Sequence, residues 1–346
     1  MRAQDTATAA RPLTEHELAR ALQRFAKPNW RRSLTEIAIT AVPLALLWLG
    51  AWWALSVSWV LTLLLAIPAA GLLVRLFLIQ HDCGHGAFFE NPHVNDWIGR
   101  VVGVFTLTPY DVWRRAHAIH HASSGNLDRR GVGDLDTLTI TEYRALSTLR
   151  RMRYRLYRNP LVMFVIGPAW LFLLGHRVPT GPLRKYRDAW VSAMATNVAI
   201  ALFVSLMIWG IGVPAFLMVH LPIVLIAASI GVWLFYVQHQ FEETYWAAAP
   251  SWSLKEAALH GSSHYDLPQP LRWFSANIGI HHVHHLMSRI PFYRLPEVLA
   301  AHPELVEVGR ITLADSFRTI RLKLWDEEER RLVSFREARV QAPVRR

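Results

Sequence analysis

Three short histidine clusters mark where this chain could do chemistry. They are His81-Asp82-Cys83-Gly84-His85, His117-Ala118-Ile119-His120-His121 and His281-His282-Val283-His284-His285. On a helix, residues i, i+3 and i+4 share one face. His81 can therefore point with His85, His117 with His120 and His121, and His281 with His284 and His285. A ninth imidazole, His239, stands in Val237-Gln238-His239-Gln240-Phe241-Glu242. Neutral imidazole is a ligand for iron, copper, zinc and nickel. Eight or nine such nitrogens exceed what one tetrahedral or octahedral ion takes, so the count implies two metal ions. The donor set is histidine-rich, not carboxylate-rich. With a single cysteine, Cys83, a disulfide framework and a thiolate-built zinc or iron–sulfur site are excluded. Cys83 reads as a small packing residue.

The elements that must position these clusters are apolar. Of 346 residues, 52% are hydrophobic, which excludes disorder. Residues 37–74 and 189–241 contain no Asp, Glu, Lys or Arg. One membrane span needs about 20 apolar residues, so each stretch holds a hairpin. The breaks fall at residues 54–58 and 210–214. We expect an all-α integral membrane protein with four spans, near residues 35–55, 58–79, 190–210 and 215–237. The basic residues gather in segments 1–34, 80–188 and 242–346, and both hairpin tips are uncharged. The positive-inside rule then puts both termini, and all three clusters, on the cytoplasmic side. A cytoplasmic helical cap would hold the dimetal site. Residues 160–175 and 98–108 are apolar but short, which fits re-entrant or interfacial segments.

The remaining segments carry less. The net charge is +11, from 37 Lys and Arg against 26 Asp and Glu. Such a balance suits nucleic acid, but beside these apolar stretches it reads as a membrane-facing surface, and no nucleic-acid partner is expected. Residues 1–34 form an amphipathic N-terminal segment without a signal-peptide core. Within it, Thr14-Glu15-His16-Glu17 opens a short helix presenting Leu18, Leu22 and Phe25, expected on the membrane surface. Residues 146–158 alternate Arg with Leu, Met and Tyr and read as an interfacial helix meeting anionic lipid. Residues 336–346 are a basic tail. His260 and His264 read as structural, and His220 as a neutral histidine inside the fourth span.

At this point the motifs resemble a known family. The three clusters are similar to the three histidine boxes of the membrane fatty acid desaturases. The likeness extends to Arg130-Gly131-Val132-Gly133-Asp134-Leu135-Asp136-Thr137-Leu138-Thr139, to Val237–Glu242, and to Gly261-Ser262-Ser263-His264-Tyr265-Asp266-Leu267-Pro268. Asn277-Ile278-Gly279, Ser288-Arg289-Ile290-Pro291 and Leu322-Lys323-Leu324-Trp325-Asp326-Glu327-Glu328 complete it. These motifs resemble the acyl-lipid Δ12, or omega-6, branch. It covers residues 35–335, with His264 and Asp136 departing from that branch's pattern.

The resemblance implies a fatty acyl desaturase that introduces a cis double bond, using two iron ions, O₂ and external electrons. The metal ligands would be His81, His85, His117, His120, His121, His239, His281, His284 and His285. His282, Asn277, Asp82 and Glu242 would stand behind them. Asn277 is a candidate holder of a water ligand, and carboxylates can accept the second imidazole N–H. Six carboxylates lie near the boxes: Asp82, Asp111, Asp134, Asp136, Glu242 and Asp266. Asp82 and Glu242 are favoured among them. The substrate would be a fatty acyl lipid or acyl thioester, held in an apolar tunnel. No haem segment, flavin fingerprint or cysteine cluster is present, so a partner must deliver electrons: ferredoxin in a bacterium, cytochrome b5 in a eukaryote. A bacterial inner membrane is the expected location. Di-iron hydroxylases and ketolases share such histidines and form the alternative, with a non-catalytic metal-binding membrane protein more remote.

Overall fold

A computed structural model describes residues 15–340 of the chain. The expected cap at Thr14 and most of the basic tail lie outside these residues. The first helix, α1 (Glu15–Gln23), buries Leu22 in the main core, with Leu18 packed against it, and the turn after it buries Phe25 there. Its apolar face therefore meets protein, where the sequence suggested membrane. The Arg294 guanidinium fixes the following turn by donating to the carbonyls of Arg24, Phe25 and Lys27.

Both hairpins form. α2 (Trp30–Ala54) starts at Asn29, whose side chain accepts the Arg32 N–H. After a short turn, α3 (Trp59–Gly84) starts at Ser58, whose hydroxyl accepts the Val60 N–H. These caps satisfy backbone donors that a helix start leaves unpaired. α4 (Pro92–Phe105) and α5 (Tyr110–Ser123) follow and pack on α3. Strand β1 (Leu138–Thr139), α6 (Ile140–Ala145) and α7 (Thr148–Tyr157) lead to an irregular apolar segment. There a π-helical turn (Val162–Ile166) runs into α8 (Gly167–Leu173), followed by two 3₁₀ turns. α9 (Arg187–Ile211) and α10 (Val213–His239) make the second hairpin. They meet at Gly212, φ 82°, a conformation that glycine adopts without a Cβ penalty.

Among the described residues, five segments are long and apolar enough to cross a membrane: the helices α2, α3, α9 and α10, and residues Val162–Lys185. The sequence reading expected four. The chain is mostly helical with membrane-type helices. Leu46, Leu64, Leu202 and Trp209 point outward from these helices, as lipid-facing residues do, since no water-driven burial draws them in. α3 is the most enclosed of the five and packs against α2, α10, α4 and α5. It also carries Arg75, buried and paired with buried Glu36 of α2. Arg75 further donates to Thr40 Oγ1 at 3.2 Å and to the Trp273 carbonyl.

The rest of the chain wraps the ends of α3 and α10. It contains α11 (Leu254–His260), α12 (Leu271–Phe274), α13 (His281–Leu286) and α14 (Leu295–Ala301). The all-α expectation needs one correction, because four more short strands are woven in. β2 (His264–Asp266) pairs in parallel with β3 (Arg310–Thr312). β4 (Leu324–Asp326) lies between β1, parallel to it, and β5 (Arg331–Val333), antiparallel to it. These pairings tie the C-terminal segment to the stretch after box two and close the region that holds the histidines.

Candidate metal centre

Each histidine cluster sits on a helix end or a short helix aimed at one point. His81 is in the last turn of α3, and His85 caps that helix. His117, His120 and His121 lie on α5, and His239 is the final residue of α10. His281, His284 and His285 lie on α13. The nine rings gather in two sets. One holds His81, His85, His117, His121 and His284; the other holds His120, His239, His281 and His285. Within each set, one ring nitrogen per residue lies within 4.8 Å of all the others.

The contacts are nitrogen to nitrogen. In the five-histidine set, Nε2 pairs stand at 3.1 Å for His81–His117, His117–His121 and His121–His284. In the four-histidine set they stand at 3.1 Å for His120–His239, 3.0 Å for His239–His281 and 3.1 Å for His281–His285. Three rings have their other nitrogen engaged by an acceptor. His81 Nδ1 faces Asp82 Oδ1 at 3.1 Å, His239 Nδ1 faces the Gly261 carbonyl at 3.0 Å, and His120 Nδ1 bonds Asp134. A neutral imidazole has one proton. When Nδ1 donates it, Nε2 is a bare lone pair. A ring held by its Nδ1 thus offers Nε2 as a ligand atom, and the Nε2 atoms of His120 and His239 face each other as two ligands of one cation would. Imidazoles bound to one ion at about 2.1 Å, at right angles, present nitrogens about 3 Å apart. The residues fit a pair of imidazole-ligated metal ions. His85 Nε2 is buried with no hydrogen-bond partner among the described residues, as suits a metal ligand.

Burial sets the protonation. It pulls His85, His117 and His121, and likewise His281, His284 and His285, well below the ordinary histidine range, helped by the neighbouring rings. These six rings are therefore neutral near pH 7, the state that binds metal. Trp113 stacks on His117 with centroids 4.5 Å apart, and Phe235 lies 5.2 Å from His120 and 5.3 Å from His239. These rings exclude water from the flanks.

The supporting residues differ from the sequence reading. Asp82 meets His81 and also accepts the Phe292 N–H at 2.7 Å, joining box one to the segment after box three. Asn277 donates to the Phe292 carbonyl at 3.2 Å. His282 turns away from both sets, with Nε2 at 2.9 Å from the Leu305 carbonyl. Burial lowers it to about 3. Its ring lies 5.6 Å from His264, which bonds the Val306 carbonyl. Glu242 pairs with Arg331 at 3.1 Å and Arg321 at 3.7 Å. The carboxylate that does meet a box-two ring is Asp134, not favoured from sequence. Its signal was the flanking glycine. Gly133 has φ 74°, and a Cβ there would stand 2.9 Å from the Ala116 carbonyl and 3.2 Å from His120 Cβ. Only glycine lets that loop come close enough.

A small cleft of about 10 Å³ reaches His239 and Asp134, with Phe235, Trp246 and Gly261 also in its wall. That is room for about one water, far short of the roughly 300–1,000 Å³ of common ligand pockets, so an acyl chain would need these walls to part.

Comparison with known proteins agrees with this centre. The fatty acid desaturase family model matches residues 57–315. The chain is 45% identical over 323 residues to a protein of Bacillus subtilis (strain 168) named fatty acid desaturase, covering 93% of this chain and 91% of that one. It is 25% identical over 299 residues to an sn-1 oleoyl-lipid 12-desaturase of Synechocystis sp., covering 82% and 81%. An sn-1 acyl-lipid omega-3 desaturase (ferredoxin) of the same organism is 28% identical over 234 residues, covering 64% and 61%. A family match over most of the chain, joined to a relative almost half identical along nearly its whole length, makes this chain a member of the fatty acid desaturase family, an oxidoreductase that desaturates acyl chains.

Proposed function

We propose that the chain is an O₂-dependent, Δ12-like acyl-lipid desaturase working at a di-iron centre. The nine histidines would hold the irons, five around one and four around the other. The observation that carries this is the pair of convergent imidazole sets, with the Nδ1 atoms of His81, His120 and His239 engaged from behind. Irons bound there supply the O₂ activation that an unactivated methylene demands and no side-chain base can provide. In sum, –CH₂–CH₂– with O₂, two electrons and two protons gives cis –CH=CH– and two waters.

The residues of the chain would divide the remaining tasks. Asp134, Asp82 and the Gly261 carbonyl hold three rings by their Nδ1–H groups and raise their basicity. Trp113 and Phe235 keep the flanks dry. Substrate positioning decides which carbon pair reacts, and the likeness to an oleoyl-lipid 12-desaturase supports the regiochemistry. Electrons come from a partner. The basic surface suits an acidic carrier, and a relative named for ferredoxin supports that donor.

Four spans are proposed, with residues 35–335 as one catalytic unit. α3 and α10 end at the same histidine centre. α9 begins beside box two, where Asp188 pairs with Arg115 and Ser192 accepts the Asp111 N–H at 3.2 Å. The chain between α3 and α9 therefore starts and finishes on one side, and a single crossing by residues Val162–Lys185 would break that parity. The continuous helical run there, residues 160–173, is about 21 Å long at 1.5 Å per residue, against a hydrocarbon core of about 30 Å. A re-entrant segment fits. The positive-inside rule puts the centre and both termini in the cytoplasm of a bacterial inner membrane.

Expression in a host fed with saturated and monoenoic acyl chains, followed by gas chromatography with double-bond positions mapped, tests the reading. A new cis double bond at the Δ12 position is expected. A hydroxylated or keto product would overturn it.

A further inference from the structure

One helix presents an apolar stripe that none of the described residues covers. On α7, Leu149, Met152 and Leu156 are 57%, 62% and 63% exposed. At about 100° per residue they fall within one arc of the helix. The opposite side is docked. Tyr154 is buried, donates to the Lys323 carbonyl at 2.6 Å and accepts the Leu138 N–H at 3.2 Å. The stripe is therefore fixed outward and is not a loosely held helix turning over.

Charge borders the stripe. α7 carries Arg150, Arg151, Arg153 and Arg155 and no acid. Arg155 is occupied by the Tyr143 hydroxyl at 2.6 Å, and Arg151 by backbone carbonyls. Arg150 and Arg153 are exposed and make no hydrogen bond or ion pair among the described residues. The chain then passes directly into Val162–Lys185, a segment apolar enough to enter a bilayer. Leu161, Val165, Ile166 and Trp170 continue the exposed apolar surface.

We propose that α7 lies in the headgroup layer of an anionic phospholipid leaflet. This rests on the membrane reading above. Leu149, Met152 and Leu156 enter the boundary of the acyl chains, and Arg150 and Arg153 bind lipid phosphates through charge-assisted hydrogen bonds. Long arginine stems suit this arrangement, lying along apolar surface while the guanidinium stays at the polar layer. Continuity with the bilayer-entering segment favours lipid over an acidic protein as the occupant. The lipid contact would then set the depth of α7 and, through Tyr154, of Lys323 and the strand β1.

The test uses the full chain in nanodiscs of phosphatidylcholine with and without phosphatidylglycerol. Cys83 is buried, so Met152→Cys supplies the accessible thiol for an environment-sensitive label. Leu202→Cys, on α9, is the control for insertion. Metal content reports that each variant folds. The Met152→Cys label should be quenched by nitroxide lipids and shielded from aqueous iodide. Arg150→Gln and Arg153→Gln should each lower retention of phosphatidylglycerol over phosphatidylcholine roughly fivefold. A Met152→Cys label open to iodide, with Leu202→Cys in lipid, overturns the proposal and leaves the membrane reading standing. Both labels open to iodide overturns both. Shielding that arises only on adding reduced ferredoxin overturns it in favour of a protein partner.

Discussion

The Nε2 atoms of His120 and His239 lie 3.1 Å apart although 119 residues separate them in the chain. Each ring has its Nδ1 committed behind it, to Asp134 and to the Gly261 carbonyl. Groups outside the contact hold the two Nε2 atoms face to face. The fold thus assembles a group of nitrogens that could hold a metal ion. It also defines how the centre should fail when parts are removed.

Purified protein should contain about two iron ions per chain, two being the number that nine imidazoles call for. His120→Ala, His85→Ala and His284→Ala should each abolish product and lower bound iron together, read by elemental analysis alongside lipid chromatography. Full activity in any of the three would refute the ligand sets.

Asp134 does not belong to either set, so its loss should weaken metal binding without erasing it. Asp134→Ala is expected to lower metal affinity about 10–100-fold. Asp134→Asn keeps an acceptor for the His120 N–H and should lose less. Competition with a chelator measures both, and equal affinity in wild type and Asp134→Ala would exclude an orienting role.

Gly133→Ala tests the close approach of the loop to α5. The new Cβ would meet the Ala116 carbonyl at 2.9 Å at a φ of 74°, which strains any L side chain. The loop must retreat and carry Asp134 away from His120. Metal affinity should fall as in Asp134→Ala, with the helical circular dichroism unchanged; an unaltered chelator profile would contradict this.

Glu36 and Arg75 form a buried ion pair between α2 and α3. Glu36→Gln strands a buried guanidinium, and breaking such a pair costs about 3–5 kcal/mol. Replacing both by apolar residues, Glu36→Leu with Arg75→Met, should recover much of that loss. Thermal unfolding in detergent compares the three proteins. A single variant as stable as wild type would mean the pair is satisfied by water.

Burial lowers the Lys323 amine to about 7 from 10.5, with the Arg158 guanidinium adding to the effect. Below pH 7 the amine is charged both folded and unfolded, and the full cost of burying it is present. Between pH 7 and 10.5 the unfolded chain binds a proton that the folded chain lacks, so stability rises with pH. The melting temperature should climb from pH 7 to 9 in wild type and climb less in Lys323→Met. Parallel profiles would show that Lys323 titrates normally.

Much of this protein was legible in the sequence because its strongest signals are local. Charge-free stretches give membrane hairpins, and the turns at residues 54–58 and 210–214 hold in the structure. Histidine spacing gives ligand faces. Signals that depend on distant partners were harder to read. Asp134 looks like any loop carboxylate until Gly133 brings it under His120. Glu242 looks like a ligand support because it is near His239 in sequence, yet it faces Arg331 and Arg321. The apolar face of α1 is the same whether it meets lipid or protein.

The sequence by itself determined the nine imidazoles, their helical spacing and the hydrophobic frame. How the imidazoles divide was decided only by tertiary structure. On a helix, i and i+4 differ by about 40°, while i+3 lies about 60° to the other side of i. In box two, His117 and His121 stay together and His120 crosses to the other set; in box three, His281 and His285 stay together and His284 crosses. Each set therefore takes one i, i+4 pair and the i+3 residue of the facing helix. The sequence shows both helices with the same spacing, but the exchange exists only because folding sets α5 and α13 against each other between the ends of α3 and α10.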